Sequence, residues 1–209
     1  MEKKRVVVTG LGVISPVGND VNSMWDALLK GKSGVGRITA FDPSNFDSQI
    51  SGEVKGFDPL QYITLKESRR MERFVQFAVA AAKQAVKDSG LDISKEDPYR
   101  VGVMVGSGVG SLKVMQEECL HYEAKGPSKI SPFMIPLIIV NEAAGNVSIA
   151  TGAKGPNSCV ATACATGSHT VGDAFRLIAY GYADMMISGG TESCITPMGI
   201  GGLDRKSVV

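Results

Sequence analysis

The sequence lacks an excess of charge of either sign. Its 22 Lys and Arg residues stand against 21 Asp and Glu residues, which leaves a formal net charge of +1 at pH 7. Proteins that bind nucleic acid or anionic lipid normally show a basic excess or a basic block. Long apolar runs are also missing, since stretches such as 77–82 and 136–140 fall far short of the ~18 residues that a membrane span needs. We therefore predict no nucleic-acid partner and no membrane partner.

Cysteine and histidine are scarce. The chain has four cysteines, none of them in a Cys-x-x-Cys pair, and two histidines. This set does not fit the usual zinc-binding patterns. The apolar run after Arg5 is too short for the core of a signal peptide and is followed by no small-residue cleavage site. We therefore expect no metal, free thiols and a cytoplasmic location. A plastid protein from which the transit peptide has been removed would show the same features.

Glycine, in contrast, is abundant, and many of the 25 glycines follow short apolar runs. The predicted strands span 5–9, 101–105, 158–163 and 184–188. The predicted helices span 21–30, 64–89, 111–125, 137–151 and 165–180, which leaves 31–62 mostly as loop. Strands separated by helices predict an α/β fold in which helices are layered on a mainly parallel sheet.

Two glycine-rich loops, 10–12 and 106–110, follow predicted strands and invite comparison with nucleotide-binding loops. The first lacks the third glycine of the dinucleotide-binding pattern and has no acidic residue at the end of a second strand. The second has its third glycine one place too early, and neither contains the Gly-Lys-Ser/Thr of a P-loop. Both are interpreted as tight turns, and no cofactor is expected.

Cys164 is the most informative residue, because a predicted strand ends and a helix begins next to it. The N-terminus of a helix stabilises negative charge, and its free N–H groups can bind an oxyanion. Small neighbours such as Ala163 and Gly167 leave room for a substrate carbonyl. The segment is therefore interpreted as a nucleophile elbow carrying cysteine. The alternative, a small buried hydrophobic residue, stays open for Cys164.

The other cysteines, Cys119, Cys159 and Cys194, are expected in the core. His169 lies five residues after Cys164, off its helix face, so neither it nor His121 is expected to act as a base. A cysteine hydrolase, which needs such a base, is disfavoured.

The segment 162–167 resembles the active-site segment of β-ketoacyl-acyl-carrier-protein synthases, most closely the synthase II type of bacterial fatty-acid elongation. The resemblance continues in the family's order through the segments 5–12, 15–18, 106–108, 130–133, 189–192 and 196–197. It implies a thiolase-like fold of two similar α/β halves, with residues 1–202 as the first. Residues 203–209 are an atypical tail that departs from the family pattern.

The resemblance implies an acyltransferase of fatty-acid synthesis that uses acyl and malonyl forms of acyl carrier protein. Cys164 would accept the acyl chain as a thioester, which decarboxylative Claisen chemistry then joins to malonyl carrier protein. Four residues would line the acyl pocket: Val109, Phe133, Met134 and Ala163. Three would dock the carrier protein: Lys66, Arg69 and Arg70. Ordinary core stays open for the first group and a solvated charged face for the second, and a homodimer is implied.

The family takes two histidines and a lysine for condensation from its second half, and neither His121 nor His169 lies in the family's histidine motifs. Full condensation is therefore not expected from these 209 residues alone. The chain is expected to be a truncated product, the product of a frame change or an incomplete sequence, and the missing half would leave an apolar face uncovered. The alternative functions are a non-catalytic carrier-protein-binding or pairing module, and an inactive product.

Overall fold

The computed structural model describes residues 4–206, which form helices around a small parallel sheet. The helices are α1 (Val21–Leu29), α2 (Leu65–Ser68), α3 (Arg73–Ser89), α4 (Leu112–Lys125), α5 (Met134–Ile138), α6 (Glu142–Thr151), α7 (Thr166–Ala179) and α8 (Pro197–Lys206). The strands are β1 (Gly36–Arg37), β2 (Ile50–Ser51), β3 (Val101–Gly106), β4 (Asn157–Ser158) and β5 (Met185–Gly190).

The main sheet has the order β4-β3-β5, and both of its pairings are parallel. All six residues of β3 are buried, as expected for a central parallel strand covered on both faces. The strands β1 and β2 form a separate antiparallel ribbon within the segment that was predicted to be loop. The parallel sheet that the sequence predicts is therefore confirmed.

Local signals in the sequence explain where several helices begin and end. Asp20 accepts a hydrogen bond from the Ser23 N–H at the start of α1. Thr64 and Glu67 form the predicted capping box at the start of α2. Gly90, with φ of 68°, ends α3 in the left-handed conformation that glycine adopts without strain.

One face of the sheet packs against α3 and α6. Because side chains alternate along a strand, Val101, Val103 and Val105 point to the same face. There they join a buried cluster with residues of the two helices, of which the largest fully buried ones are Phe74, Val75, Val79 and Val147. This cluster is the main apolar core of the described residues.

The opposite face of the sheet packs against α7. A Cβ added at Gly106 would overlap Cγ2 of Thr166, the first residue of that helix. Thr170, one turn later, is fully buried and donates a hydrogen bond to the carbonyl of Gly189 in β5. Helices therefore cover both faces, and α7 begins at the end of the sheet where β3 and β5 finish.

The prediction of a strand over 5–9 is wrong for the described structure. Val7 and Val8 are 58% and 76% exposed, and the backbone there follows no neighbouring strand. The N–H groups of Leu11 and Val13 instead donate to the side chains of Asp88 and Gln84 on α3. A β-branched run favours extended backbone, but a strand also needs an adjacent strand edge.

Three other predicted elements are interrupted. Of the strand predicted over 158–163, only Ser158 pairs with β3, and the chain then continues without strand pairing to the 3₁₀ turn at Ala163–Ala165. The helix predicted over 64–89 divides where Glu72, in extended conformation, caps α3. The helix predicted over 137–151 divides at the extended Ile139.

The helix α8 crosses the predicted boundary at residue 202, and Asp204 accepts a hydrogen bond from the Ser48 N–H. Residues 207–209 of the predicted tail lie outside the described residues. That the last seven residues depart from the family pattern stays a prediction. Among residues 4–206, no helix is both long and apolar enough to span a bilayer.

Asp184, just before β5, forms ion pairs with Lys4 near the start of the chain and with Arg100 just before β3. Its carboxylate accepts hydrogen bonds at 2.9 Å from the Lys4 ammonium and from two nitrogens of the Arg100 guanidinium. These bonds, above all those from Arg100, hold the pKa of Asp184 well below its ordinary value of 3.8. A carboxyl whose pKa is lowered by folding stabilises the protein above its unfolded-state pKa, and this contribution is lost as the pH falls through the folded-state pKa.

We therefore expect Asp184→Asn to lower the thermal unfolding midpoint at neutral pH, and to matter progressively less once the pH falls below 3.8. Thermal melts across pH measure this effect. The matched control is Asp173→Asn, which removes a half-buried helical carboxylate whose partners, His169 and Arg176, lie on its own helix. Equal midpoint shifts for the two variants at neutral pH would contradict the assignment.

Candidate active site

The loops that follow β3, β4 and β5 meet at one end of the sheet. The Thr191 N–H, just after β5, donates to the Gly106 carbonyl at the end of β3. On the other side of Gly106, an added Cβ would overlap the carbonyl oxygen of Val160. An added Cβ at Gly190 would lie 2.9 Å from Cα of Gly167 in α7. Only glycine permits these close approaches.

Cys164 is exposed at this end of the sheet, in the middle of a 3₁₀ turn that leads directly into α7. Ala163, immediately before it, has φ of 50°, a left-handed conformation that a residue with a Cβ adopts only at a cost. The turn is held by two hydrogen bonds, from the Ala165 N–H to the Thr162 carbonyl and from the Thr162 N–H to the Thr166 hydroxyl. The backbone therefore presents Cys164 outward at a strained turn.

The start of α7 has no side-chain cap, since Ala165 occupies the capping position. First-turn N–H groups have no partner within their own helix and carry partial positive charge. They lie directly beside the Cys164 turn. This arrangement can stabilise negative charge on an oxygen atom attached to a carbon that the thiolate attacks.

Glu192, in the loop after β5, bonds to the loop after β3 next to the Cys164 turn. The sequence analysis did not predict this contact. Its carboxylate accepts hydrogen bonds from the Ser107 hydroxyl at 3.1 Å and from the Gly108 N–H at 2.9 Å. A Cβ built on Gly108 would lie 3.0 Å from Glu192 Oε2 and 3.4 Å from Cα of Ala163. Glu192 therefore fixes the loop against which the cysteine turn rests. The segments 106–108 and 189–192 were singled out in the sequence, but nothing in it pairs them.

The two histidines each face an acidic residue on their own helix. The distance from His169 Nε2 to Asp173 Oδ2 is 3.6 Å, and that from His121 Nδ1 to Glu118 Oε1 is 3.7 Å. Each pair is separated by three or four positions, which is the spacing of neighbours on a helix surface. The contacts of both imidazoles are therefore local to α7 and α4.

Three of the four predicted acyl-pocket residues are exposed. Val109 is 48% exposed and Phe133 55% exposed, Ala163 is exposed, and Met134 is half-buried. The alternative interpretation of these positions as ordinary core is therefore wrong for Val109, Phe133 and Ala163. Exposed apolar side chains such as these can line a pocket for a long apolar ligand only if further protein surface covers the ligand.

The other cysteines differ in their surroundings. Cys119 is exposed, contrary to the core position expected for it, whereas Cys159 and Cys194 are half-buried. Burial raises the pKa of the Cys159 thiol. Burial also raises the pKa of Cys194, to which the negative charges of Glu192 and Cys164 add. Both thiols are therefore predominantly protonated at neutral pH.

A basic groove lies around α2. Lys66, Arg69 and Arg70 are exposed and line a groove of about 520 Å³ together with the apolar side chains of Leu65 and Phe133. In the part of the chain that the structure describes, none of the three cations lies within salt-bridge distance of a carboxylate. The helix α2 ends at Ser68 and α3 begins at Arg73, but the three cations still lie on one surface together with Phe133. We call this surface the basic groove.

The described residues contain no cluster of three or more His, Cys, Asp or Glu side chains that could hold a metal ion. The chemistry available at this end of the sheet is therefore that of an exposed thiol beside a helix N-terminus, with a carboxylate that organises the backbone beneath it.

Comparison with known proteins gives the same family by sequence and by structure. The family model described as "Beta-ketoacyl synthase, N-terminal domain" matches residues 3–209. The chain is 50% identical over 202 residues to a 3-oxoacyl-[acyl-carrier-protein] synthase 2 of Synechocystis sp., covering 97% of this chain and 49% of that protein. It is 54% identical to the protein of the same name from Coxiella burnetii, with the same coverage.

Solved structures with this fold include the ishigamide ketosynthase/chain length factor, with a TM-score of 0.87, 28% identity, and coverage of 98% of this chain and 51% of that one. Another is a type II polyketide ketosynthase in complex with its acyl carrier protein, with a TM-score of 0.83, 32% identity, and coverage of 99% and 49%. The predicted fold class is confirmed. The chain spans about half the length of the relatives that it matches.

Proposed function

The chain belongs to the β-ketoacyl synthase family, and from this premise we propose that Cys164 accepts an acyl chain from acyl carrier protein as a thioester. The observation that carries the proposal is the exposed thiol at a strained turn that opens directly into a helix. The whole protein would then act as a 3-oxoacyl-[acyl-carrier-protein] synthase, an acyltransferase of fatty-acid elongation. The enzyme names of the relatives support this proposal.

The transfer step follows from the geometry. The Cys164 thiolate attacks the carbonyl carbon of the acyl thioester, and the carbonyl oxygen becomes negative in the tetrahedral intermediate. The Cys164 N–H stabilises this oxygen beside the positive end of α7, since the N–H groups of Ala165 and Thr166 already donate to the Thr162 and Ala163 carbonyls. The intermediate collapses as the bond to the carrier thiol breaks, and that thiolate takes up the proton that Cys164 released to solvent.

The basic groove supplies a docking surface for the carrier. Acyl carrier proteins are acidic partners in this family, and three clustered cations steer such a partner even when the net charge of the chain is near zero. The apolar side chains of Leu65 and Phe133 in the same groove suit the non-ionic part of a carrier-bound substrate. Phe133 thus belongs to both predicted groups, the acyl pocket and the docking surface.

For the residues described, we propose the acyl-transfer half reaction alone. Condensation with malonyl carrier protein needs side chains that polarise the malonyl carbonyl, and the contacts of His121 and His169 are with acidic neighbours on their own helices. Val109, Phe133, Met134 and Ala163 would line the acyl pocket, where the bulk of the side chains limits the length of the bound chain. No cofactor takes part in this chemistry.

We also propose a cytoplasmic homodimer. Four free thiols are typical of a reducing compartment. Apolar side chains exposed on α6 and α7, among them Ile149, Val171 and Phe175, provide surface that a second copy or another part of the protein can cover.

The double charge reversal Lys66→Glu/Arg70→Glu tests the docking surface. We expect it to weaken binding of acyl carrier protein by about tenfold at low salt, chiefly through slower association, and to slow acylation of Cys164 in proportion. Both effects should shrink at high salt because screening weakens exposed charges. Binding is measured by surface plasmon resonance, and acylation by intact mass.

Lys32→Glu is the matched control, because Lys32 is exposed in a loop outside the basic groove. Equal losses for the control and the double variant would contradict the docking site. Carrier binding without any acylation of the parent protein would instead favour the non-catalytic carrier-binding module, for which the basic groove is the supporting observation.

A further inference from the structure

Cys194 lies at the same end of the sheet as Cys164, although 30 positions separate them in the sequence. Gly108 lies between the two segments that carry these cysteines. A Cβ added at Gly108 would lie 3.0 Å from Glu192 Oε2 and 3.4 Å from Cα of Ala163. Cys164 follows Ala163 directly, and Cys194 comes two residues after Glu192. The close approach of Gly190 to Gly167 brings the same two segments together from the other side.

The electrostatics agree with this placement. The negative charge of Cys164 contributes to the raised pKa of Cys194, after the larger effects of burial and of Glu192. Cys194 also belongs to residues 191–196, which form neither helix nor strand.

We propose that Cys194 is the resolving partner of Cys164 in a peroxide-responsive switch. The Cys164 thiolate attacks hydrogen peroxide, the O–O bond breaks, and Cys164 becomes a sulfenic acid while hydroxide leaves. The Cys194 sulfur then attacks the Cys164 sulfur. A disulfide forms, and the sulfenic hydroxyl leaves as water with the proton of the Cys194 thiol. Each disulfide thus consumes one peroxide, which is the oxidant for both thiols.

The switch would protect the nucleophile. A sulfenic acid that finds no thiol is oxidised further to sulfinic acid, which thiol reductants do not reverse. A disulfide is reduced by thiol exchange and returns Cys164 to use. Cys159 is closer to Cys164 in the sequence and could compete with Cys194 as the partner. Its thiol, however, donates a hydrogen bond of 3.4 Å to the Val140 carbonyl. Only the consequence for acylation rests on the proposed function, whereas the disulfide itself does not.

The experiment uses the full 209-residue chain, treated with hydrogen peroxide in modest excess, blocked with N-ethylmaleimide and digested with trypsin without reduction. No Lys or Arg lies between Cys159 and Cys164, so the two share one tryptic peptide, and Cys194 lies in the next one. A parallel sample of Cys159→Ser therefore assigns the link. We expect these peptides to be joined, with the loss of two hydrogen atoms, in the parent and in Cys159→Ser.

In Cys194→Ser the link should be absent, and Cys164 should accumulate as sulfinic acid that dithiothreitol does not reverse. Cys194→Ala serves the same purpose if the serine variant fails to fold. Absence of the link in the parent, a link from Cys194 to Cys159, or equal recovery of the Cys164 thiol with and without Cys194 would overturn the proposal. A disulfide without carrier-dependent acylation would overturn the proposed function and leave this inference standing.

Discussion

Cys164→Ala is expected to abolish transfer of the acyl chain from acyl carrier protein, lowering the rate by at least about a thousandfold because no second nucleophile occupies the turn. Cys164 is exposed at the start of α7, whereas Cys159 and Cys194 are half-buried thiols with raised pKa values. The transfer rate is measured by intact mass after rapid mixing with an acyl carrier protein thioester.

Cys159→Ala is the matched control, since it removes a neighbouring thiol and leaves the turn in place. It should retain most of the parent rate, and both variants should bind the carrier as the parent does. Acylation of Cys164→Ala at the parent rate would show that another group accepts the chain.

Gly106→Ala is expected to distort the site and destabilise the fold together. Its new Cβ would overlap the Val160 carbonyl oxygen and Cγ2 of Thr166, which flank the turn that carries Cys164 on either side. Neither neighbour is the free end of a flexible side chain, so the backbone has to move. We expect a loss of about 1–3 kcal/mol in the free energy of unfolding and a marked fall in acylation of Cys164.

Gly145→Ala provides the control, because an added Cβ there, inside α6, meets no atom within 4 Å. It should raise the free energy of unfolding by about 0.5–1 kcal/mol, as alanine favours a helix over glycine. Urea denaturation measures both variants. A Gly106→Ala protein as stable and as readily acylated as Gly145→Ala would contradict the packing described at the end of β3.

Local signals made much of the fold predictable. The capping box at Thr64 and Glu67, the glycine after α3 and the apolar runs of β3 and β5 depend on a few adjacent residues, and each appears where the sequence indicates. The position of Cys164 at the start of a helix was predictable for the same reason, since small residues and a change of periodicity mark the junction.

Features that depend on distant residues were not predictable. The segment 5–9 has the composition of a strand but no adjacent strand edge, and the backbone that follows it bonds to α3 side chains instead. The contact of Glu192 with Ser107 and Gly108 joins positions more than 80 residues apart. The exposure of Val109 and Phe133 likewise depends on what covers them rather than on their apolar character.

The most direct test of the central claim is the position of the acyl group after the chain has been incubated with an acyl carrier protein thioester. Because Cys159 and Cys164 share a tryptic peptide, fragmentation of that peptide by tandem mass spectrometry is needed to distinguish them. We predict a single acyl group, labile to hydroxylamine as a thioester is, on Cys164. An acyl group on Cys119, Cys159 or Cys194 instead, or acylation spread evenly over the four cysteines, would contradict the account.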